Sequence, residues 1–382
     1  MKAFTLIVCL ACAAVVRGQL TTGTFGRTFG IGVPNFPVVP DEERLVYNHS
    51  LAHGSPSGYL NHFWSTACGG RSINCVTESG VIIYRIYVDG EANASIVFTP
   101  RMATGQGFSP SCGGADGGAS LPEPWGTDLF GKQSDLDGYY FKFRVPFYLS
   151  IRVTAQLPPG VAGFNVYTII RGIEGNSMGF PALSVPGYGA VPYGTRLRLL
   201  RNDAIQVPSL HFIPIVNITA GTGFIHSYTV ATTGHPSFYY LEGCFHLVTP
   251  VGPDGMDPTT GVANGFPGVV LSTGTEDMFD SSFYFHAGMF ALKETGVTHM
   301  CGTMAPHKPC PNASVSEWSA YKVHETDLLL FDGGVQLLLR NGDKAGPTPY
   351  GSGKCYNQDM VPDGMSPGTS TVSTYAWVYL FE

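Results

Sequence analysis

The fold class is decided by one apolar segment, Val81-Ile82-Ile83-Tyr84-Arg85-Ile86-Tyr87-Val88, which ends in Asp89-Gly90. β-Branched and aromatic residues favour strands, and Asp-Gly is a strong signal for a hairpin turn. Residues 141–145 and 151–157 alternate apolar and polar side chains, which is the period of a half-buried strand. These runs predict a protein built from β-sheets.

Short strand-like runs recur along the 382 residues between clusters of Gly, Pro, Asn and Asp, and no segment carries a three-turn helical stripe. The chain holds 49 Gly and 28 Pro, and only 13% of its residues are charged. This composition excludes a coiled coil, a helical bundle and a disordered chain. We predict an all-β double jelly roll, that is, two tandem jelly-roll β-sandwich domains. The Pro- and Gly-rich stretch 182–195 places their boundary between residues 19–190 and residues 191–382.

The first 18 residues have the features of a secretory signal peptide. Lys2 precedes an apolar run that is too short to span a membrane, and small residues stand at the expected cleavage site. We expect the mature chain to be secreted or to lie in an endomembrane lumen, without a membrane span. Lys+Arg 21 against Asp+Glu 28 gives a net charge of −7 with no basic run, so nucleic acid is not an expected partner.

Sequons and cysteines agree with secretion. Four Asn-x-Ser/Thr sequons predict glycosylation at Asn48, Asn93, Asn217 and Asn312. Seven cysteines remain after the signal peptide, and Cys68–Cys75 and Cys301–Cys310 are plausible short-loop bridges. The odd number leaves one thiol free, buried or intermolecular, and the full connectivity stays open. No CxxC spacing is present after the signal peptide, and neither a metal site nor another cofactor is expected.

Two clusters of the scarce charged residues could carry chemistry, Ser272–Phe279 and Glu317–Asp327. Hydrolysis of a sugar needs two facing carboxyl groups beside aromatic surfaces. Acidic residues near turns are also commonly solvated or capping, and a tryptophan or histidine is often structural. The aromatic and histidine residues that could line a site are His62, Trp64, His286, Trp318 and His324.

At these clusters the sequence resembles glycoside hydrolase family 172, formerly domain of unknown function 2961, which includes difructose-anhydride synthase/hydrolases and D-arabinofuranosidases. The most specific match is Ser272-Thr273-Gly274-Thr275-Glu276-Asp277, which is similar to the family's GTGTEDYF, with Met278 in place of the usual Tyr. Weaker blocks follow in the family's order between about residues 58 and 343: Gly58–Thr66, Tyr84–Glu91, Val145–Phe147, Leu241–Cys244 and Ser319–Asp327, with Lys322 for Arg.

The resemblance implies a double jelly roll that assembles as a homotrimer or a multiple of it. It also implies a retaining two-carboxylate mechanism on α-furanosides of the D-arabinofuranoside or D-fructofuranoside type, without a cofactor. Glu276 would be the nucleophile and Glu317 the acid/base, with Glu325 and Glu294 in reserve. The expected substrate-binding residues are Asp277, His62, Trp64, His286, Trp318 and His324.

The alternative is a non-catalytic structural or carbohydrate-binding extracellular protein that self-assembles. Double jelly rolls also build viral capsids, and a fold does not dictate chemistry. Met278 and Lys322 depart from the family pattern, whereas the presence of both Glu276 and Glu317 favours catalysis. A surface glycoprotein that binds another protein is a third possibility, for which the sequence offers no positive feature. The sugar, the linkage and the balance between hydrolysis and transfer stay open.

Overall fold

Two β-sandwiches form the chain in the computed structural model, which describes residues 26–68, 79–108, 119–122, 124–133, 138–175, 184–249, 268–304, 306–342 and 367–381. Each sandwich packs a seven-stranded sheet against a four-stranded sheet. The strands of the first sandwich lie within residues 27–175 and those of the second within residues 196–381. The predicted all-β double jelly roll is therefore confirmed.

In the first sandwich the larger sheet has the order β1-β11-β3-β8-β7-β6, with β9 beside β3, and the smaller sheet has the order β2-β10-β4-β5. The strands are β1 (Arg27–Val38), β2 (Arg44–Ser50), β3 (Ser57–Cys68), β4 (Ile83–Val88), β5 (Ile96–Phe98), β6 (Trp125–Gly126), β7 (Phe130–Lys132), β8 (Tyr139–Phe141), β9 (Val145–Phe147), β10 (Ser150–Gln156) and β11 (Phe164–Gly175). The neighbouring strands pair in antiparallel register.

A short hairpin, β12 (Ser184–Val185) and β13 (Gly189–Ala190), leads to the second sandwich. Its larger sheet has the order β14-β24-β16-β21-β20-β19, with β22 beside β16, and its smaller sheet has the order β15-β23-β17-β18. The strands are β14 (Arg196–Val207), β15 (Phe212–Ile218), β16 (Thr222–Gly234), β17 (Phe245–Val248), β18 (Val269–Val270), β19 (Phe290–Ala291), β20 (Thr295–Cys301), β21 (Ser316–Val323), β22 (Leu329–Phe331), β23 (Val335–Arg340) and β24 (Ser370–Phe381). The described strands of the first sandwich end at Gly175 and those of the second begin at Arg196. The exact boundary after residue 190 stays a prediction.

The helical segments among the described residues are single turns: α1 (Pro100–Ala103), α2 (Thr275–Met278) and the 3-10 turns Ser79–Val81 and Tyr239–Glu242. The turn at Tyr239–Glu242 interrupts a run whose composition is typical of a continuous strand. Phe238 has a left-handed φ of 59°, and β17 starts only at Phe245. Glu242 therefore projects from a turn and not from a strand.

One hydrophobic cluster spans the first sandwich and the facing side of the larger sheet of the second sandwich. Trp377 of β24 stacks on Phe143 at a centroid distance of 4.5 Å, and Tyr321 of β21 stacks on Trp125 at 6.1 Å. All four side chains are buried. One face of the sheet that contains β21 is therefore covered by the first sandwich, and the other face covers the core of the second.

The turn predicted at Asp89-Gly90 joins the two sandwiches. Both residues have positive φ, 53° and 80°, which Gly adopts without a steric penalty. The Asp89 carboxylate accepts the backbone N–H of Tyr148 at 2.9 Å and pairs with Arg196 at the start of β14. The Arg196 side chain and three backbone N–H donors hold the pKa of Asp89 below its usual range despite its burial.

The predicted bridge Cys301–Cys310 is confirmed, with a Cα–Cα distance of 4.9 Å. Cys75, the predicted partner of Cys68, lies outside the described residues. We expect the paired replacement Cys301→Ser with Cys310→Ser to lower the free energy of unfolding by about 2–3 kcal/mol, because the bridge closes a loop of sequence separation 9. Urea unfolding measures the loss. Reductant should then have little further effect on the variant, and a loss of zero would contradict the prediction.

The remaining signs of secretion can be located only in part. Residues 1–18 lie outside the described residues, and all four sequon asparagines are exposed, so their glycosylation stays a prediction. Among the described residues, no helix is long and apolar enough to cross a membrane.

Candidate carboxylate site

Glu276 lies in α2, the single turn that follows β18. Gly274 precedes this turn, and a Cβ added to it would approach Glu276 Oε2 to 2.9 Å. Thr275 Oγ1 donates a hydrogen bond of 3.0 Å to the carbonyl oxygen of Gly243, which ties α2 to the turn that carries Glu242. Small and hydroxylated residues of the Ser272–Asp277 motif thus make room for the Glu276 carboxyl and anchor it.

A strained segment lies beside α2. Phe283, Tyr284 and Phe285 have φ values of 45°, 52° and 54°. Bulky residues rarely occupy this left-handed region, and each costs on the order of 1–3 kcal/mol. The Phe285 ring stacks on Trp318 at 5.4 Å, and His307 Nε2 donates to the Tyr284 carbonyl oxygen at 2.9 Å. Packing on both sides holds the segment, and strain of this kind is concentrated at functional sites.

Tyr284 connects two carboxyl groups. Its backbone N–H donates to the carboxylate of Glu276, and its phenol O–H donates to Glu242 Oε1. Both acidic side chains are half-buried. Within the described part of the chain, the second oxygen of Glu276, Oε2, has no hydrogen-bond partner. Burial therefore leaves one oxygen of the Glu276 carboxyl group shielded from water and unpaired.

Burial raises the pKa of Glu276 to about 7, and the negative charges of Glu242 and Asp277 contribute, although backbone N–H donors act in the opposite direction. A carboxyl group whose pKa lies near 7 can give or take a proton at neutral pH, which is what general acid/base chemistry needs.

Asp277 and His286 lie next to this pair. Asp277 Oδ2 accepts the backbone N–H of Thr273 at 3.1 Å, so the carboxylate closes the turn into α2. His286 is exposed and lies near His307. Burial lowers the pKa of His307, and the charge of His286 adds to this, whereas the hydrogen bond from His307 to the Tyr284 carbonyl raises it. Phe283, with 81% of its surface exposed, stands next to Tyr284 at the rim. These residues surround the pair with polar groups and one open aromatic ring.

Glu317 does not face Glu276, contrary to expectation. Successive side chains of a strand point to opposite faces. Trp318 of β21 packs in the core of the second sandwich, on the side of α2, whereas Tyr321 packs against the first sandwich. Glu317 shares the face of Tyr321. It contacts His299 Nε2 at 3.0 Å, and His299 Nδ1 contacts Ser120 Oγ at 3.0 Å.

A metal ion has no suitable ligand set at Glu317. Its carboxylate, His299 and Cys301 have ligand atoms within 4.8 Å of one another. Cys301, however, is bonded to Cys310 and offers no thiolate. The hydrogen-bonded chain Ser120–His299–Glu317 therefore serves to join the 119–122 segment to β20 and β21.

Two predicted sugar-binding residues are core residues instead. Trp318 is fully buried against Phe279 and Phe285, at 5.2 and 5.4 Å, and cannot stack on a ligand. His324 is also fully buried, with Nδ1 at 3.0 Å from Asp327. Both side chains lie on the inner face of the sheet. The alternation of residues in the sequence separates the two faces but does not show that this one is buried.

His62 and Trp64 lie on β3 of the first sandwich. The intervening Phe63 points into the core, so both half-buried side chains lie on the opposite face of that sheet. Burial lowers the pKa of His62, and Arg171 and Lys142 add to the effect. No hydrogen bond, ion pair or ring contact among the described residues joins either side chain to Glu276.

The two reserve carboxylates have other partners. Glu325 Oε2 pairs with Lys293 Nζ at 2.7 Å, and Glu294 Oε2 accepts the hydroxyl of Thr326 at 2.6 Å. Neither contacts the Glu276 pair among the described interactions.

Sequence reasoning missed Glu242 and Tyr284 as site residues. Glu242 belongs to the block Leu241–Cys244, and Tyr284 belongs to the aromatic run after α2. Both signals are visible in the sequence, but nothing in it indicates that the two segments meet.

Comparison with known proteins gave no family. No protein-family model matches the chain, and no curated protein matches it. Its membership of glycoside hydrolase family 172 therefore stays a prediction.

Several solved viral structures are similar at low identity. The STIV MCP is 8% identical, with a TM-score of 0.40 over 93% of this chain and 97% of that chain. A chain in the atomic structure of Sulfolobus Turreted Icosahedral Virus is 8% identical, with a TM-score of 0.39 over 93% and 91%. PBCV-1 VP54, fitted into a reconstruction of the virophage Sputnik, is 9% identical, with a TM-score of 0.27 over 93% and 94%. At these scores and identities we infer nothing about function from them.

Proposed function

We propose that the protein is a secreted glycoside hydrolase or transglycosidase in which Glu276 and Glu242 are the two catalytic carboxyl groups. The observation that carries the proposal is their connection through Tyr284, together with the elevated pKa of Glu276. A carboxyl group with a perturbed pKa, beside a second carboxyl group, is a typical sign of acid/base catalysis. The furanoside class of the substrate comes from the resemblance of the Ser272–Asp277 motif.

The chemistry uses the proton that Glu276 holds near neutral pH. The protonated carboxyl donates to the glycosidic oxygen as the bond to the anomeric carbon breaks, and the ionised carboxyl attacks that carbon or activates a water. Retaining enzymes hold the two carboxyl groups about 5–5.5 Å apart and inverting enzymes about 6.5–9.5 Å apart. Analysis of the first-formed anomer by NMR therefore tests the retaining mechanism that the resemblance implies.

A panel of aryl α- and β-furanosides with D-arabino, D-fructo and L-arabino sugars tests the proposal. We expect turnover of one sugar by the wild type and a loss of about 10²–10⁴-fold in both Glu276→Gln and Glu242→Gln. Activity should fall above about pH 7, because Glu276 then loses the proton that the reaction needs.

Two controls make the panel specific. Glu42→Gln replaces an exposed glutamate that pairs with Arg44, and it should leave the rate unchanged. Glu317→Gln distinguishes the pair Glu276 and Glu242 from the pair Glu276 and Glu317 that the resemblance implies. Activity should fall in this variant only if Glu317 is the acid/base. Full turnover by both Glu276→Gln and Glu242→Gln would reject the carboxyl pair.

The second candidate is a non-catalytic extracellular protein that self-assembles, and the double jelly roll supports it because jelly rolls also build viral shells. Under this candidate the folded wild type is silent on the whole panel and forms a defined oligomer by light scattering. A homotrimer is our proposal for the assembly under either function.

A further inference from the structure

A cavity of about 310 Å³ lies on the outer face of the smaller sheet of the first sandwich, away from the carboxylate site. The residues that line it are Asn48, Tyr87, Gly90, Glu91, Ser150 and Arg152. Arg152 of β10 is paired with Asn48 of β2 on one side and with Tyr87 of β4 on the other. Side chains directly opposite each other on paired strands share one face of the sheet. Three neighbouring strands therefore place these side chains in one row, while Ile151, next to Arg152, points into the core.

The cavity combines hydrogen-bond donors with acceptors. The Arg152 guanidinium stacks on the Tyr87 ring at 4.0 Å, and within the described part of the chain its N–H groups donate to no acceptor. The phenol of Tyr87 donates to Glu43 at 2.7 Å, which holds the ring in place. Glu91 pairs with Arg198 and also accepts a backbone N–H at 3.1 Å. An ionised carboxylate has about four acceptor sites, so Glu91 can accept further donors. A guanidinium beside a carboxylate suits a neutral ligand rich in hydroxyl groups.

Asn48 brings such a ligand to the wall of the cavity. It begins the sequon Asn48-His49-Ser50, and its side chain is exposed. An N-linked glycan is attached to the side-chain nitrogen of asparagine, so its first unit, N-acetylglucosamine, starts at this wall. The volume lies near the lower end of the range for ligand pockets, about 300–1,000 Å³, and fits one sugar unit rather than a chain.

We propose that the cavity binds the first N-acetylglucosamine of a glycan attached to Asn48. The acetamido carbonyl oxygen of the sugar accepts from the Arg152 guanidinium, and a sugar hydroxyl donates to Glu91. The turn after β4 leaves room for the sugar, because a Cβ added to Gly90 would meet no atom within 4 Å. The sugar thereby connects β2 with the turn that pairs with the second sandwich through Glu91 and Arg198. This inference rests on the sequon and the cavity and does not depend on the carboxyl chemistry.

Asn217 is a matched reference within the same protein. It lies on β15, the edge strand of the smaller sheet of the second sandwich, as Asn48 lies on β2, the edge strand of the smaller sheet of the first. Both asparagines are exposed, but Asn217 is paired with Gln336 and does not line the cavity. A difference between the two glycans in the rate of enzymatic removal therefore reports on the cavity.

Peptide N-glycosidase, which cleaves the bond between asparagine and the first sugar, tests the proposal on the full chain secreted from a eukaryotic host. Cleavage in ¹⁸O water marks each site, and peptide mass spectrometry then gives the release rates at Asn48 and Asn217. From the native protein we expect release at Asn48 to be about tenfold slower than after denaturation, with little change at Asn217. One hydrogen bond to a charged group is worth about this factor.

Two arginine variants make the test specific. Arg152→Gln should bring the native release rate at Asn48 close to that at Asn217. Arg171→Gln, at an exposed arginine of β11 that does not line the cavity, should leave the ratio of the two rates unchanged. A variant that unfolds releases both glycans faster, so the ratio separates loss of the sugar contact from loss of the fold. An unmodified Asn48, equal native release rates in the wild type, or an unchanged ratio in Arg152→Gln would overturn the inference.

Discussion

Glu276→Gln is expected to stabilise the folded protein by about 3 kcal/mol at pH 8 while it removes a catalytic group. The pKa of Glu276 rises from the ordinary 4.5 to about 7, mainly through burial. A raised carboxyl pKa means that folding favours the neutral acid. Its contribution to stability is therefore fully present below pH 4.5 and is lost as the pH rises through 7. Above pH 7 the folded wild type carries a buried negative charge. The cost in folding free energy is about 1.4 kcal/mol for each unit by which folding raises the pKa.

Urea unfolding of the wild type and of Glu276→Gln at pH 5 and pH 8 measures this effect. The gain should shrink to about 1 kcal/mol or less at pH 5, where the wild-type side chain is neutral in the folded state. Glu42→Gln, at an exposed ion pair, should show no such pH dependence. An equal free energy of unfolding for the wild type and Glu276→Gln at pH 8 would contradict the claim that burial and neighbouring negative charges raise the pKa of Glu276.

Trp318→Ala is expected to cost about 3–5 kcal/mol of folding free energy, the range for removing a large buried aromatic residue. Trp318 is fully buried between Phe279, which follows α2, and Phe285, which belongs to the strained segment. Its loss should also release Tyr284, so the variant should lose activity even where it remains folded. A sugar-stacking role at the surface would give the opposite pattern, with weaker binding and little effect on stability.

Trp64→Ala is the matched control for this prediction. Trp64 is half-buried on the face of β3 that points away from the core, so we expect less than half the loss found for Trp318→Ala. Thermal or urea unfolding of both variants measures the difference. Equal losses at the two positions would contradict the burial of Trp318 as the reason for its importance.

The β architecture was predictable because its signals are local. The alternating residues 151–157 lie almost entirely in β10, and Asp89-Gly90 forms a turn with positive φ at both residues. The bridge Cys301–Cys310 was predictable because only a short loop separates its cysteines. Residues 238–247 have the composition of one continuous strand, and composition does not reveal the left-handed Phe238 that starts a 3-10 turn.

The candidate site was predictable only at Glu276. The motif around it combines a small residue before the carboxyl with hydroxyl groups that anchor the turn, and both features are local. The identity of the second carboxyl group depends on which face of β21 packs on α2. The alternation of residues defines two faces of the strand but does not show which one faces α2. Glu317 consequently lies on the face of β21 that points away from α2, and Trp318 is buried on the face toward it. Glu242 and Tyr284 meet through tertiary packing and through strain that no composition predicts.

The central claim is that the carboxyl group of Glu276, next to that of Glu242, holds a proton near neutral pH. NMR titration of protein labelled with ¹³C at the glutamate side-chain carboxyl tests it directly, with Glu276→Gln and Glu242→Gln for assignment. We predict one carboxyl resonance with a pKa of about 7 that is absent in Glu276→Gln and titrates at lower pH in Glu242→Gln. A spectrum in which every glutamate titrates below pH 5, or in which Glu242→Gln leaves the Glu276 titration unchanged, would contradict the account.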